Sequence, residues 1–135
     1  MTNFKGTREA FAAAMMDMAE ERKDIVVISP DSLKAMRAVP FGEKYPDRYL
    51  ECGIAEQGAV DAAAGLASAG LTPFIGTYCG FLTMRACEQM RTFVGYTNLN
   101  VKFVGVNAGL LGGEREGVTH QFYEDLGIVS SMPNY

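Results

Sequence analysis

The sequence predicts an α/β protein built on an open, mostly parallel sheet with helices on both faces. Three observations carry this reading. Amphipathic helical stretches alternate with short β-branched runs along the chain. Ile25-Val26-Val27-Ile28 is apolar at every position, as a strand covered on both faces requires. The three unusual segments, around residues 52–57, 77–81 and 107–120, each follow a candidate strand. They therefore share one rim, and open α/β sheets place ligands at the carboxyl ends of their strands.

Each element has its own signal. Thr7 is a plausible N-cap, and Phe11, Ala14, Met15, Met18 and Ala19 then recur at helical spacing, giving a helix over residues 8–22. The strand at 25–28 is broken by Ser29-Pro30-Asp31-Ser32. Residues 33–47 hold two prolines and read as a loop with room for a short helix. Tyr49–Cys52 is a short strand. Ala55–Ala69 is a helix rich in Ala and Gly, with Gly70 as its C-terminal stop and Pro73 just beyond. Phe74–Thr77 is the third strand. Residues 83–93 form a helix with Leu82, Ala86, Met90 and Phe93 near one face. Asn100–Val106 is the fourth strand, Gly109–Thr119 a glycine-rich loop, and Gln121–Ser130 a final helix.

With 135 residues the chain fits one domain and can bury a core without staples. Its 48% apolar and 21% charged residues are an ordinary globular balance, and a net charge of −4 argues against a nucleic-acid partner. Cys52, Cys79 and Cys87 are odd in number and contain no C-x-x-C pair, which reads as reduced thiols in a cytoplasmic protein. Met1–Glu9 is polar and charged, so no secretory signal is visible, and no apolar run is long enough for a membrane span. The loop-like ending at Met132-Pro133-Asn134-Tyr135 suggests a fragment of a longer chain.

Three places can carry chemistry. Glu56 opens the Ala/Gly helix, where the macrodipole alone would favour an acid. Behind it Gly58, Ala59, Ala62, Ala63 and Gly65 leave a nearly bare surface that lets another backbone approach. Tyr78 and Phe81 lie three apart around a glycine, where a strand gives way to a helix. They are either a wall for a flat ring or core filling. His120, the single histidine, closes the glycine-rich loop on the same rim as Glu56. The glycines do not make a G-x-G-x-x-G site, which leaves a Rossmann-like nucleotide binder as a weak rival.

Three elements in combination, G-I-A-E-Q at 53–57, G-T-aromatic-x-x-F at 76–81 and G-x-T-H-Q at 117–121, resemble the pyrimidine-binding domain of transketolase-type, thiamine diphosphate-dependent enzymes. The likeness runs from about Thr7 to the end and implies that family's fold for residues 1–135. It implies that Glu56 meets ring nitrogen N1′ of the cofactor's aminopyrimidine and shares a proton with it, which starts two-carbon ketol transfer between sugar phosphates. A dry, apolar surrounding suits a carboxyl group with that task. It also implies that Tyr78 and Phe81, with Ile54, hold the pyrimidine. His120 then faces the sugar's oxygens in a catalytic role, and Glu116 reads a substrate hydroxyl. Asn107 stands where transketolases often have the histidine of S-H-A-G-L, and the loop Gly113–Gly117 is one residue longer than the usual G-E-D-G. Both departures fall where the acceptor sugar would bind.

The family's G-D-G motif and following asparagine, which bind diphosphate and a divalent metal, do not occur in this sequence. The resemblance therefore implies a partner domain or subunit that holds the diphosphate and Mg²⁺, and a homodimer or heterotetramer with the bare helix as a contact. Two relatives within the cofactor class stay open: 1-deoxyxylulose-5-phosphate synthase and the beta subunit of a 2-oxo acid dehydrogenase. A non-catalytic dimerising module is the alternative from another class.

Overall fold

The computed structural model describes residues 6–113 and 115–135; Met1–Lys5 of the polar N-terminus and Glu114 of the glycine-rich loop lie outside them. Helix α1 (Thr7–Glu21) leads into strand β1 (Ile25–Ser29), and a short helix α2 (Val39–Lys44) precedes strand β2 (Tyr49–Glu51). Helix α3 (Glu56–Ser68), strand β3 (Thr72–Tyr78), a helical segment centred on α4 (Cys87–Gln89), strand β4 (Lys102–Val106) and helix α5 (Asp125–Ser130) follow. The strands form one parallel sheet in the order β2-β1-β3-β4. Among the described residues no helix is long and apolar enough to cross a membrane.

Every residue of β1 is buried, as its unbroken apolar run predicts. Alternation splits it between two cores. Ile25 and Val27 pack with Met15, Ala19, Met36 and Phe41 beneath α1 and α2. Ile28 packs with Val60, Ala63, Ile75, Leu82, Met90 and Val94 beneath α3 and the segment around α4. Pro73 lies inside β3 rather than before it, opposite Val26. It is tolerated because the pairing of β3 with β4 begins only at Phe74, so the missing N–H breaks no rung there. The stop after α3 is as read: Gly70 sits at φ 89°, with Gly70 N–H to Ala67 O and Leu71 N–H to Leu66 O closing the helix.

Three local expectations are corrected. Thr7 is the first helical residue and Gly6 the cap, with no side-chain cap bond. Glu9 serves this end instead: its carboxylate folds back beside Gly6, and a bond from its own backbone N–H, then Arg37, holds it below the usual glutamate range. The helix expected at 83–93 is two wide π turns, Phe81–Arg85 and Met90–Gly95, on either side of α4. Its buried stripe is Leu82, Ala86, Met90 and Val94, with Phe93 outside. Steps of four drift about 40° each on an α-helix, and wider turns return them to one line. The final helix begins at Asp125, not Gln121, because Phe122 is extended, bridges to Gly109, and lies over Gly80, where any Cβ would strike its ring.

The cysteines are free and half-buried. Burial, and then Asp125, push the Cys79 thiol up to about 12. Cys79 should therefore resist iodoacetamide at pH 8 in the folded protein and react once the chain is denatured, as mass spectrometry of labelled peptides would show.

A candidate aromatic cleft above Glu56

The site is assembled from three loops at the carboxyl rim of the sheet. After β1, Ser32 turns back so that its N–H meets Ser29 Oγ at 2.8 Å, and its hydroxyl lies 2.7 Å from Thr77 Oγ1 of β3. After β2, Gly53 adopts φ 65°, which a side chain would resist, and swings the chain into α3. After β3, Gly80 and Phe81 start the first π turn. The cleft between them has a volume of about 300 Å³ and is lined by Asp31, Ile54, Glu56, Phe81, Arg85 and His120, among others.

Glu56 is the first residue of α3 and is only 3% exposed. The helix N-terminus favours its charge. Its surroundings are less apolar than the sequence suggests. Arg85 Nη1 donates to Glu56 Oε1 at 2.7 Å, and its guanidinium lies 4.1 Å from the centre of the Phe81 ring. Among the described residues Oε2 takes no hydrogen bond. Burying one charge without the other would be costly, and the arginine answers that cost from the exposed side of the pair.

The aromatic residues meet as a cluster. Tyr78 and Phe81 are 5.7 Å apart, and His120 stands edge-on to both at 4.9 Å. Phe122 supports Phe81 from behind at 5.6 Å. His120 Nδ1 is 2.9 Å from Thr119 Oγ1. Ile54 is 76% exposed at the lip of the cleft. The structure thus brings Glu56, Ile54, Tyr78, Phe81 and His120 together. It does not bring Asn107, which lines a neighbouring cleft with Arg8, Phe11 and Val104. Glu116 is exposed and does not line the cavity.

Arg85 is the residue that sequence reasoning missed. The signal was present: Phe81 and Arg85 are four apart in a helical stretch, so a cation above an aromatic ring follows from spacing. The helix face of Gly58, Asp61 and Gly65 is exposed, and a side chain added at either glycine would meet nothing within 4 Å.

The chain is similar to known proteins over most of its length. Residues 5–135 match the family described as transketolase, pyrimidine binding domain. An apulose-4-phosphate transketolase component of Phocaeicola vulgatus is 33% identical over 97% of the chain and 42% of its own length. A 1-deoxy-D-xylulose-5-phosphate synthase of Brevibacillus brevis is 42% identical over 92% of the chain and 19% of its own length. A split-gene transketolase, solved as an inactive beta4 tetramer, superposes with a TM-score of 0.80 at 37% identity, covering 95% of the chain and 40% of that structure. The chain therefore spans less than half the length of the curated relatives it matches, 41% of the first of them. With its parallel sheet, its buried glutamate and a family match over nearly the whole sequence, the chain belongs to the transketolase pyrimidine-binding domain family.

Proposed function

We propose that this chain is the pyrimidine-binding half of a thiamine diphosphate-dependent, transketolase-like transferase that moves a two-carbon ketol unit between sugar phosphates. The observation that carries the reading is the buried Glu56 carboxylate beneath an aromatic-walled cleft. A flat aminopyrimidine needs apolar surface against its faces and an acid at one ring edge. Phe81, Tyr78 and Ile54 offer the first, and Glu56 Oε2 the second. The residues present fit the group.

Thiamine diphosphate, when bound, supplies the carbanion stabilisation at its thiazolium carbon. Glu56 holds a proton shared with ring nitrogen N1′, and burial keeps bulk water from competing for it. Arg85 fixes the carboxylate by its other oxygen, so the acid does not rotate away. Tyr78 and Phe81 orient the ring, and Phe122 keeps Phe81 in place. His120, with Nδ1 engaged by Thr119, offers Nε2 to a sugar oxygen at the mouth of the cleft. Glu116, exposed on the glycine-rich loop beyond His120, is left for the outer part of the acceptor site, whereas Asn107 faces the neighbouring cleft. The diphosphate and Mg²⁺ fall to a partner domain or subunit, because this sequence has no G-D-G element. The exposed face of Gly58, Asp61 and Gly65 on α3 is the contact through which the chains assemble.

The test is reconstitution. The chain, a candidate diphosphate-binding subunit, thiamine diphosphate, Mg²⁺ and a ketose phosphate donor are mixed with an aldose phosphate acceptor. Two-carbon transfer is expected only when both proteins are present. A complex that assembles yet shows no cofactor binding by calorimetry would sink the proposal and favour the dimerising module.

A further inference from the structure

We propose that Glu51 is a positioning residue whose carboxylate clasps the loop after β1 to the loop after β2, and so fixes two walls of the Glu56 cleft. This rests on the reading of that cleft as the cofactor site. The pairing of β1 with β2 ends at Ser29 and Glu51, with one further bond from Cys52 N–H to Ser29 O at 2.9 Å. Beyond it the two chains part, one towards Asp31 and the other towards Ile54, and both residues line the cleft.

Where the ladder stops, the Glu51 side chain takes over. Its Oε1 accepts the backbone N–H of Asp31 at 2.7 Å and that of Gly53 at 2.9 Å. Its Oε2 accepts the Tyr49 hydroxyl at 2.5 Å, which sets the rotamer of the carboxylate. The two amides belong to positive-φ residues just beyond the β1–β2 pairing, Asp31 at 52° and Gly53 at 65°. For Asp31 such a conformation is uphill and persists only when its surroundings hold it. One oxygen holding both turns couples their positions: the wall bearing Asp31 cannot shift without moving the approach to Ile54 and Glu56. Burial pushes the Glu51 carboxyl up, but bonds from Tyr49, Asp31 and Gly53 hold it below the ordinary glutamate value, so the acceptor stays charged at neutral pH. Tyr49, pushed up to about 12 by burial and then Glu51, remains a donor.

The variants follow from the bonding. Glu51→Gln keeps an amide oxygen for both N–H groups, and the Tyr49 hydroxyl can turn from donor to acceptor. Glu51→Ala keeps nothing, and Tyr49→Phe removes only the bond that sets the rotamer. Hydrogen exchange of the full chain is read first, because it needs no cofactor. The Asp31 and Gly53 amides should exchange at least about tenfold faster in Glu51→Ala, return near the parent rate in Glu51→Gln, and fall between in Tyr49→Phe. In the complex with the diphosphate-binding subunit, Glu51→Ala should weaken thiamine diphosphate binding about tenfold, with kcat at saturating cofactor much less changed, and Glu51→Gln should restore the affinity.

Unchanged exchange at both amides in Glu51→Ala overturns the clasp whether or not cofactor binds. A parent complex that binds cofactor, beside a Glu51→Ala complex of equal affinity, overturns the positioning role while the functional reading stands. A parent complex that binds no cofactor overturns the functional reading itself.

Discussion

Glu56→Gln is expected to lower two-carbon transfer by about 10² to 10⁴-fold in the reconstituted enzyme, the range a positioned general acid or base contributes. The substitution changes almost nothing else. The amide has the size and shape of the carboxyl group, so the first turn of α3 keeps its packing. An amide oxygen can still accept from Arg85 in place of the carboxylate Oε1. What is lost is the capacity to hold and release a proton at the second position. Removing a charge from a site only 3% exposed should leave the fold close to its parent stability. The decisive measurement is therefore a kcat that collapses while the unfolding midpoint barely moves. Equal rates for the two forms would end the catalytic reading of Glu56 and leave an acid at a helix end.

Arg85→Ala is expected to act on stability instead. It strips the cation from a carboxylate that has almost no access to water. A buried polar group left without its hydrogen bond costs about 1–3 kcal/mol, and a fully buried charge more. The lower part of that range is expected, because the arginine is itself 45% exposed and solvent already weakens the pair. Arg85→Lys keeps the charge but loses the flat face that lies on Phe81, so it should recover only part of the loss. Urea unfolding of the single variants and of Glu56→Gln/Arg85→Ala separates the contributions. If the arginine matters as partner to the buried charge, the double variant is more stable than Arg85→Ala alone. A double variant that sums the two single effects would mean that Arg85 stabilises by its stem and ring contact.

Much of this molecule was legible in the residues. The β1 run specified a strand covered on both faces because no position could face water, and the Gly70 stop followed from the need for positive φ. Glu56, Tyr78, Phe81 and His120 share one cleft, as their places in loops beyond strand ends led one to expect, because the topology brings such ends together. What escaped was tertiary. The π turns at 81–95 are set by lining up Leu82, Ala86, Met90 and Val94 against α3, a demand no local propensity expresses. The break at Phe122 depends on the room left by Gly80, a residue far away in the chain. Arg85 reads as a surface cation until the helix is placed beside Glu56. Asn107 was expected with the other rim residues, but its positive φ of 53° turns the chain into the neighbouring cleft instead.

The bridge between Gly109 and Phe122 gives the glycine-rich excursion a neck. An appendage laced at its base can grow or shrink by a residue at little entropic expense, while the sheet beneath feels nothing. His120 stands inside that neck, tied to the aromatic cluster, whereas Glu116 is exposed further out on the excursion. Under the proposed function, remodelling that excursion is a route to new acceptor preferences that spares the aromatic cleft.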